Sequence, residues 1–358
     1  MDKLYYFGID GGGTHSRLAV TNREGRILGR AEAGSTNIYS MPKDAVFENL
    51  RSLLDSCLQA AGLRKEDLGA GCVGSAGLGR EKEQRVFQGF FDSFLGTGIP
   101  VKLCGDGEIL LCGGLEDLEG YCLIAGTGST ALGRSKDGRL VRAGGLGYML
   151  GDEGSAAWIG KTVITRILRS LEGRDLPSFM LEAILEKTGL SQSEDLIRYV
   201  HIEADKARVA ALAPLVTEAA RSADPLALDI LRTGAAEMVL LVRSVLDRSP
   251  WIENRTLVLA GGVIEHDEII TEKLRGSLAA EFPRLKITEP RGNALEGACL
   301  LAASIAGHLG LSKPARNDRS LMNASPALAG ERETRKPERD SPSSGNSIKA
   351  SWEAKALR

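Results

Sequence analysis

The sequence lacks the features that mark several large classes of protein. Its six cysteines form no Cys-X-X-Cys pair, and its 12 prolines and 43% apolar residues exclude a wholly disordered chain. No apolar run approaches the roughly 20 residues that a membrane span needs. We therefore expect a cytoplasmic protein with buried, reduced thiols, no signal peptide and no membrane partner.

Several catalytic and binding motifs are also missing. The four histidines show neither HxxH nor HExxH spacing, which excludes a typical catalytic zinc site. The sequence contains neither the P-loop pattern GxxxxGK[ST] nor the nucleophile elbow GxSxG. Its formal net charge is −2, from 45 basic and 47 acidic residues, which argues against nucleic acid as the main partner.

Glycine is the residue present in excess. The chain has 43 glycines, where about 25 would be usual for its length. They follow no Gly-X-Y period, so a collagen helix is excluded. Glycine permits tight turns and a close approach of backbone to a ligand, so the positions of the surplus indicate where a ligand binds.

Apolar periodicity predicts an α/β protein whose second half repeats its first. Residues 4–33 contain three strands of an antiparallel meander, which alternating helices and strands follow. Residues 121–143 repeat the order of strand, Gly-rich turn, strand, turn and strand. A repeat of this kind is typical of two similar domains.

These patterns divide the chain into three parts. We predict an N-terminal domain over residues 1–118 and a C-terminal domain with a long helical insert over residues 119–311. From residue 312 onward, Pro, Ser, Asn and mixed charge replace periodicity, so residues 312–358 are predicted to be a disordered tail.

The first strand ends in an acid and a run of glycines, Asp10-Gly11-Gly12-Gly13-Thr14. Bare backbone N–H groups in such a turn can bind an anion, and the Thr14 hydroxyl can donate to a phosphate. A carboxylate beside phosphates commonly holds Mg²⁺ through water. The plain alternative is a tight hairpin without a ligand.

A second turn of this type, Gly126-Thr127-Gly128-Ser129, lies at the corresponding place in the second half. One such turn is weak evidence for a ligand. Two turns, each after a buried strand, indicate a phosphate chain held from two sides.

Asp106 lies between Gly105 and Gly107, where a strand ends and a helix begins. A rigid, open carboxylate at such a place suits a general base that acts on a hydroxyl group. The alternative is that Asp106 only caps the helix N-terminus.

Two further glycine-rich segments complete the set. The run from Gly144 to Ser155 holds five glycines and the acids Asp152 and Glu153, which suit metal ligands, helix caps or contacts to substrate hydroxyls. Gly261 and Gly262 end a buried strand, where a flat base can pass close to the backbone.

In chain order, these motifs together with Ser35-Thr36-Asn37 resemble the N-acetylglucosamine kinase branch of the BadF/BadG/BcrA/BcrD ATPase family, within the actin and hexokinase superfamily. The resemblance covers roughly residues 4–310. It implies two ribonuclease-H-like lobes, the actin-like ATPase fold, with ATP and Mg²⁺ in the cleft between them. It also implies ATP-dependent phosphorylation of the 6-hydroxyl of N-acetylglucosamine or a related amino sugar.

The resemblance assigns a role to each motif. Asp10 would organise Mg²⁺, Asp106 would accept the proton of the sugar hydroxyl, and Gly261 and Gly262 would border the adenosine. The nucleotide phosphates would lie against the two turns, at Gly12, Gly13, Thr14, Gly126, Thr127 and Gly128. The sugar would contact Asn37, Asp106, Gly145, Leu146 and Asp152. Leu146 departs from the tryptophan of the mammalian-type pattern, so the sugar pocket is expected to differ in shape, which leaves the exact amino sugar open.

Two other functions within the superfamily stay open. One is an ATPase that activates a partner redox enzyme through an iron–sulfur cluster, for which Cys122 is the cysteine nearest the second turn. The other is a sugar sensor without catalytic activity. A homodimer is expected by resemblance alone.

Overall fold

The N-terminal strands form a five-stranded mixed sheet. In the computed structural model, which describes residues 5–307, the strands are β1 (Tyr5–Gly11), β2 (His15–Thr21), β3 (Ile27–Gly34), β4 (Leu68–Ser75) and β5 (Val101–Cys104). The first three form an antiparallel meander, and β4 and β5 continue the sheet parallel to β1, in the order β3-β2-β1-β4-β5. The central strand β1 is largely buried, as expected for a strand covered on both faces.

Three helices belong to this half of the chain. They are α1 (Lys43–Ala61), α2 (Glu81–Leu95) and α3 (Asp106–Gly114), with a single 3₁₀ turn at Lys65–Asp67. Helix α1 ends at Gly62, whose φ of 66° is a left-handed conformation that glycine adopts without strain.

The second sheet repeats the first. Its strands are β6 (Gly120–Ala125), β7 (Ser129–Arg134), β8 (Leu140–Gly144), β9 (Thr256–Ala260) and β10 (Lys286–Thr288). Strands β6, β7 and β8 form the meander, and β9 and β10 run parallel to β6, in the order β10-β9-β6-β7-β8. The predicted internal repeat of an α/β fold is therefore confirmed.

A helical insert separates β8 from β9. It consists of α4 (Ala156–Leu171), α5 (Leu181–Thr188), α6 (Asp195–Arg198), a π turn at Tyr199–Glu203, α7 (Lys206–Ala210), α8 (Ala213–Arg221) and α9 (Pro225–Arg248). Pro214 lies in the first turn of α8 and keeps it separate from α7. After β9 come α10 (Gly262–His266) and α11 (Glu268–Glu281), and α12 (Ala294–Ile305) follows β10.

Helices α3 and α12 join the two sheets. They share a buried cluster with Cys72 of the first sheet and with Cys122 and Val258 of the second. A Cβ atom on Gly297 would lie 1.8 Å from the Ile109 carbonyl oxygen, so the two helices meet backbone to backbone. Helix α12 thus follows the second sheet in the chain yet packs on β1 and β4, and the division at residue 118 stays a prediction.

All six cysteines are free and buried, as predicted. Among residues 5–307, no helix has both the length and the apolar character to cross a bilayer. The predicted tail, residues 312–358, lies outside the described residues.

Candidate active site

The first glycine turn is a close-packed corner. A Cβ atom on Gly11 would lie 2.2 Å from Thr36 Oγ1 and 2.6 Å from Ser75 Oγ, so only glycine fits there. The Gly12 carbonyl accepts hydrogen bonds from Thr36 N at 3.3 Å and from Ser35 Oγ at 3.0 Å. These contacts fix the segment that follows β3 against the turn, while Gly13 and Thr14 are exposed at its tip.

Asn37 lies beside this turn. Its Oδ1 accepts a hydrogen bond from Tyr39 N at 2.9 Å, and its own N–H donates to Ser35 Oγ at 3.1 Å. The side chain packs against Gly77, where a Cβ atom would lie 2.9 Å from Oδ1. With Oδ1 occupied, the Asn37 amide nitrogen is left to donate to a ligand.

Asp10 forms an ion pair with Arg17, its cross-strand neighbour on β2. Arg17 Nη2 lies 2.7 Å from Asp10 Oδ2, and the Asp10 side chain is 18% exposed. No cluster of three or more His, Cys, Asp or Glu able to enclose a metal occurs in the described part of the chain. One accessible carboxylate fits Mg²⁺ in a nucleotide site, where phosphates and waters supply the other ligands.

Asp106 is the first residue of α3. Gly105 is the N-cap residue and provides no side-chain cap, so Asp106 is not the capping residue of the alternative interpretation. Its carboxylate is exposed and accepts a hydrogen bond from Gly107 N at 3.0 Å.

The protein environment of Asp106 raises the pKa of its carboxyl group. Burial among the surrounding protein raises the pKa of Asp106, and the nearby Asp10 carboxylate adds to the rise, whereas Gly107 N–H and Arg142 oppose it. The residue is exposed to solvent, although protein surrounds much of its carboxylate. Asp106 therefore lies within electrostatic range of Asp10 in the first half and of Arg142 in the second.

The second glycine turn is bound on both sides by the loop that follows β8. The Gly126 carbonyl accepts from Ala156 N at 2.9 Å, and Ser129 Oγ donates to the Glu153 carbonyl at 2.7 Å. Gly145 N donates to the Ser129 carbonyl at 2.8 Å. The turn and the loop are therefore one assembly, with Thr127 exposed at its tip.

Gly145 and Leu146 lie at the start of this loop. Arg142 donates to the carbonyl oxygens of Gly144 at 3.2 Å and Gly145 at 2.6 Å. A Cβ atom on Gly145, which has φ 65°, would lie 2.0 Å from the Arg142 guanidinium. Leu146 is 67% exposed, so its side chain is open to a ligand.

Asp152 is buried in the loop. It is 2% exposed and has φ 61°, a left-handed conformation that few non-glycine residues adopt. Its Oδ2 atom accepts from Lys206 Nζ at 2.8 Å. Gly261, with φ 103°, packs against Ala125, and Gly262 N lies 3.7 Å from the Cβ position of Gly126.

The structure thus gathers the predicted residues into two groups. One group lies at the first turn, in the segment after β3 and at the N-terminus of α3: Asp10, Gly12, Gly13, Thr14, Asn37 and Asp106. The other lies around the second turn: Gly126, Thr127, Gly128, Gly145, Leu146, Asp152, Gly261 and Gly262. Sequence reasoning missed Arg17, Arg142 and Lys206, which contact the predicted residues. Arg17 is the cross-strand partner of Asp10 in the β1–β2 hairpin, so the spacing of the two residues around the turn could have predicted their ion pair. No pattern in the neighbouring sequence predicts the contacts of Arg142 and Lys206.

Solved structures show the same architecture. A candidate N-acetylglucosamine kinase from Chromobacterium violaceum superposes with a TM-score of 0.65 at 30% identity, covering 83% of this chain and 98% of that one. A glucokinase from Streptomyces griseus gives a TM-score of 0.51 at 17% identity over 84% and 99% of the two chains. The fold is therefore the two-lobed fold of the actin-like ATPases, as predicted.

The chain belongs to the BadF/BadG/BcrA/BcrD ATPase family, whose model matches residues 7–302. The N-acetylmuramic acid/N-acetylglucosamine kinase of Clostridium acetobutylicum is 33% identical over 303 residues, 84% of this chain and 98% of that protein. The N-acetyl-D-glucosamine kinase of Dictyostelium discoideum is 28% identical over 317 residues, 84% of this chain and 98% of that protein.

Proposed function

We propose that the protein is an ATP-dependent sugar kinase that phosphorylates the 6-hydroxyl of N-acetylglucosamine or a related amino sugar. The observation that carries the proposal is the Asp106 carboxylate, exposed at the N-terminus of α3, with a raised pKa and with Asp10 and Arg142 in its electrostatic surroundings. Kinases among the relatives at about 30% identity support the choice of substrate class.

In this mechanism the protein positions the reactants and Asp106 handles one proton. Asp106 accepts the proton of the sugar 6-hydroxyl as that oxygen attacks the γ-phosphorus of ATP, and ADP leaves. Asn37 donates to the sugar through its amide, and Gly145, Leu146 and Asp152 complete the sugar contacts.

The two glycine turns hold the nucleotide. Backbone N–H groups of the turns and the hydroxyls of Thr14 and Thr127 bind phosphate oxygens, and Gly261 and Gly262 border the adenosine. Asp10 is the residue that would hold Mg²⁺, which neutralises phosphate charge when bound. Arg17 would compete with a bound Mg²⁺ for Asp10, because its Nη2 atom lies 2.7 Å from Asp10 Oδ2.

The buried cysteines speak against an activator of a redox enzyme. Cys122 is fully buried in the cluster between the sheets, and burial raises the pKa of its thiol. A cysteine that binds an iron–sulfur cluster has to be a thiolate that the iron–sulfur cluster can reach. The described residues offer no such cysteine, since all six are buried.

The test is ADP release from ATP and Mg²⁺ with a panel of sugars. We expect N-acetylglucosamine, N-acetylmuramic acid or glucosamine to give ADP and sugar 6-phosphate in equal amounts, well above ATP hydrolysis without sugar and above glucose. Sugar binding measured by calorimetry without ADP release from any of them would refute the kinase and favour the sugar sensor.

A further inference from the structure

Lys206 brings a positive charge to the second glycine turn from outside the two sheets. It is the first residue of α7, whose start is fixed by Asp205, because the Asp205 carboxylate accepts from Arg208 N at 2.8 Å. The Lys206 ammonium donates to Asp152 Oδ2 at 2.8 Å, with side-chain exposures of 37% for Lys206 and 3% for Asp152.

The ion pair packs directly on the turn. A Cβ atom on Gly128 would lie 2.8 Å from Asp152 Oδ2 and 2.9 Å from Lys206 Nζ. Only a residue without a side chain allows the two charged groups to come this close. By contrast, a Cβ atom on Gly126, at the other end of the turn, would meet no heavy atom nearer than 3.7 Å.

The ion pair with Asp152 uses only part of the hydrogen-bonding capacity of the Lys206 ammonium group. A lysine ammonium has three N–H donors, and Asp152 is the only hydrogen-bond partner of the Lys206 ammonium group among residues 5–307. Two donors therefore remain beside Gly128.

We propose that Lys206 is a phosphate-binding residue, anchored by Asp152, whose ammonium group contacts the polyphosphate chain of the nucleotide on the Gly126–Gly128 turn. The proposal rests on the proposed function, because it places nucleotide phosphates at this turn. The ammonium's position beside Gly128 and its free donors suit a polyanion, and a lysine acts there as a mobile point charge.

The experiment compares nucleotide affinities of the full chain by calorimetry, using ATP, ADP and adenosine. We expect Lys206→Met to weaken ATP and ADP binding about 10-fold to 100-fold, the range of a lost charge-assisted contact. Adenosine binding should change little. The melting temperature should fall, because Lys206→Met leaves the buried Asp152 carboxylate without its cation, so the affinities are compared at temperatures well below the unfolding transition. Lys206→Arg should restore part of the ATP affinity because it keeps the charge.

Arg208→Met is the matched control. Arg208 lies on the same helix and is exposed, and its guanidinium donates to the Glu203 carbonyl at 3.4 Å, so ATP affinity should stay at the wild-type value. Equal ATP affinity of wild type and Lys206→Met overturns the proposal, as does an equal loss for ATP and adenosine, which indicates a structural role. If no sugar releases ADP but Lys206→Met still weakens ATP binding selectively, the kinase proposal falls and the role of Lys206 stands.

Discussion

At the scale of single residues, Asp106 combines an accessible carboxylate with an environment that disfavours its charge. Enclosure by protein and the neighbouring Asp10 raise its pKa above the ordinary value of 3.8. A base with a raised pKa holds the accepted proton more firmly, which favours proton transfer from a hydroxyl.

The raised pKa predicts the pH profile of the enzyme. Since the base acts as a carboxylate, kcat/KM should fall on the acid side, through an apparent pKa above that of an ordinary aspartate. Asp106→Asn should lose about 100-fold to 10,000-fold in kcat and keep its sugar affinity. Steady-state kinetics from pH 4 to 8 and calorimetry with the sugar measure both effects. A variant with nearly normal kcat would contradict the role of Asp106.

The same shift predicts how this substitution affects stability. A folded-state pKa above the unfolded one stabilises the fold at low pH, and that contribution is lost as pH rises through the folded pKa. At neutral pH the folded protein therefore bears the cost of an enclosed charge, which asparagine removes. The melting temperature of the Asp106→Asn variant at pH 7, measured by thermal unfolding, should equal or exceed that of the wild type. A loss of activity in this variant would then not be caused by unfolding.

At the scale of elements, the contact between α3 and α12 sets the position of Asp106. A Cβ atom on Gly297 would lie 1.8 Å from the Ile109 carbonyl and 2.5 Å from Gly113 N. These are backbone atoms, which cannot turn aside as the end of a flexible side chain does. Helix α3 can therefore hold its first residue in place only if α12 has no side chain at position 297.

We expect Gly297→Ala to force the two helices apart. The free energy of unfolding should fall by about 1–3 kcal/mol or more, and kcat should fall with it because α3 carries Asp106. The matched control is Gly276→Ala on α11, where a Cβ atom meets nothing within 4 Å, so the gain in helix propensity should stabilise the fold by about 0.5–1 kcal/mol. Urea unfolding and kinetics test both; equal effects of the two substitutions would refute the argument.

The elements differ in how well periodicity predicts them. Strand β9 is the buried strand expected before Gly261 and Gly262, because it is a short apolar run that the two glycines end. Strand β10 was not predicted, since it has three residues at a sheet edge, none of them fully buried. Helix α11 was missed although Ile270, Leu274 and Leu278 lie four residues apart along one buried face, a helical signal that was present in the sequence.

The local sequence pattern predicts only some of the residues of the candidate site. The two glycine turns and Asp106 leave a mark in the local sequence, because each closely follows the end of a strand and lies among glycines, several of which have no room for a Cβ atom. Lys206 and Arg142 leave no such mark. Lys206 is a single cation in the helical insert, and only the tertiary fold brings it to Asp152, 54 residues earlier in the chain. Arg142 is a single cation on a strand, and its contact with the Gly145 carbonyl, three residues further on, follows no pattern that marks it in the sequence.

At the scale of the whole molecule, a buried ion network links the two repeated sheets. Glu108 of α3 lies 3.2 Å from Lys102 Nζ on β5 and 3.2 Å from Arg134 Nε on β7, and its side chain is 4% exposed. Arg134 also donates to the Leu118 carbonyl at 2.7 Å. The network thus connects the first sheet, the helix that carries Asp106 and the second sheet.

Breaking this network should destabilise the molecule far more than breaking a surface pair. Arg134→Met leaves Glu108 buried with Lys102 as its one remaining cation, so the free energy of unfolding in urea should fall by about 1.5–3 kcal/mol, the range for a lost hydrogen bond to a charged group. Adding Glu108→Gln should recover part of that loss, because it removes the buried charge. Arg243→Met, which breaks an exposed pair with Glu281, should cost less than about 1 kcal/mol. Similar losses for the two arginine variants would show that the network does not hold the sheets together.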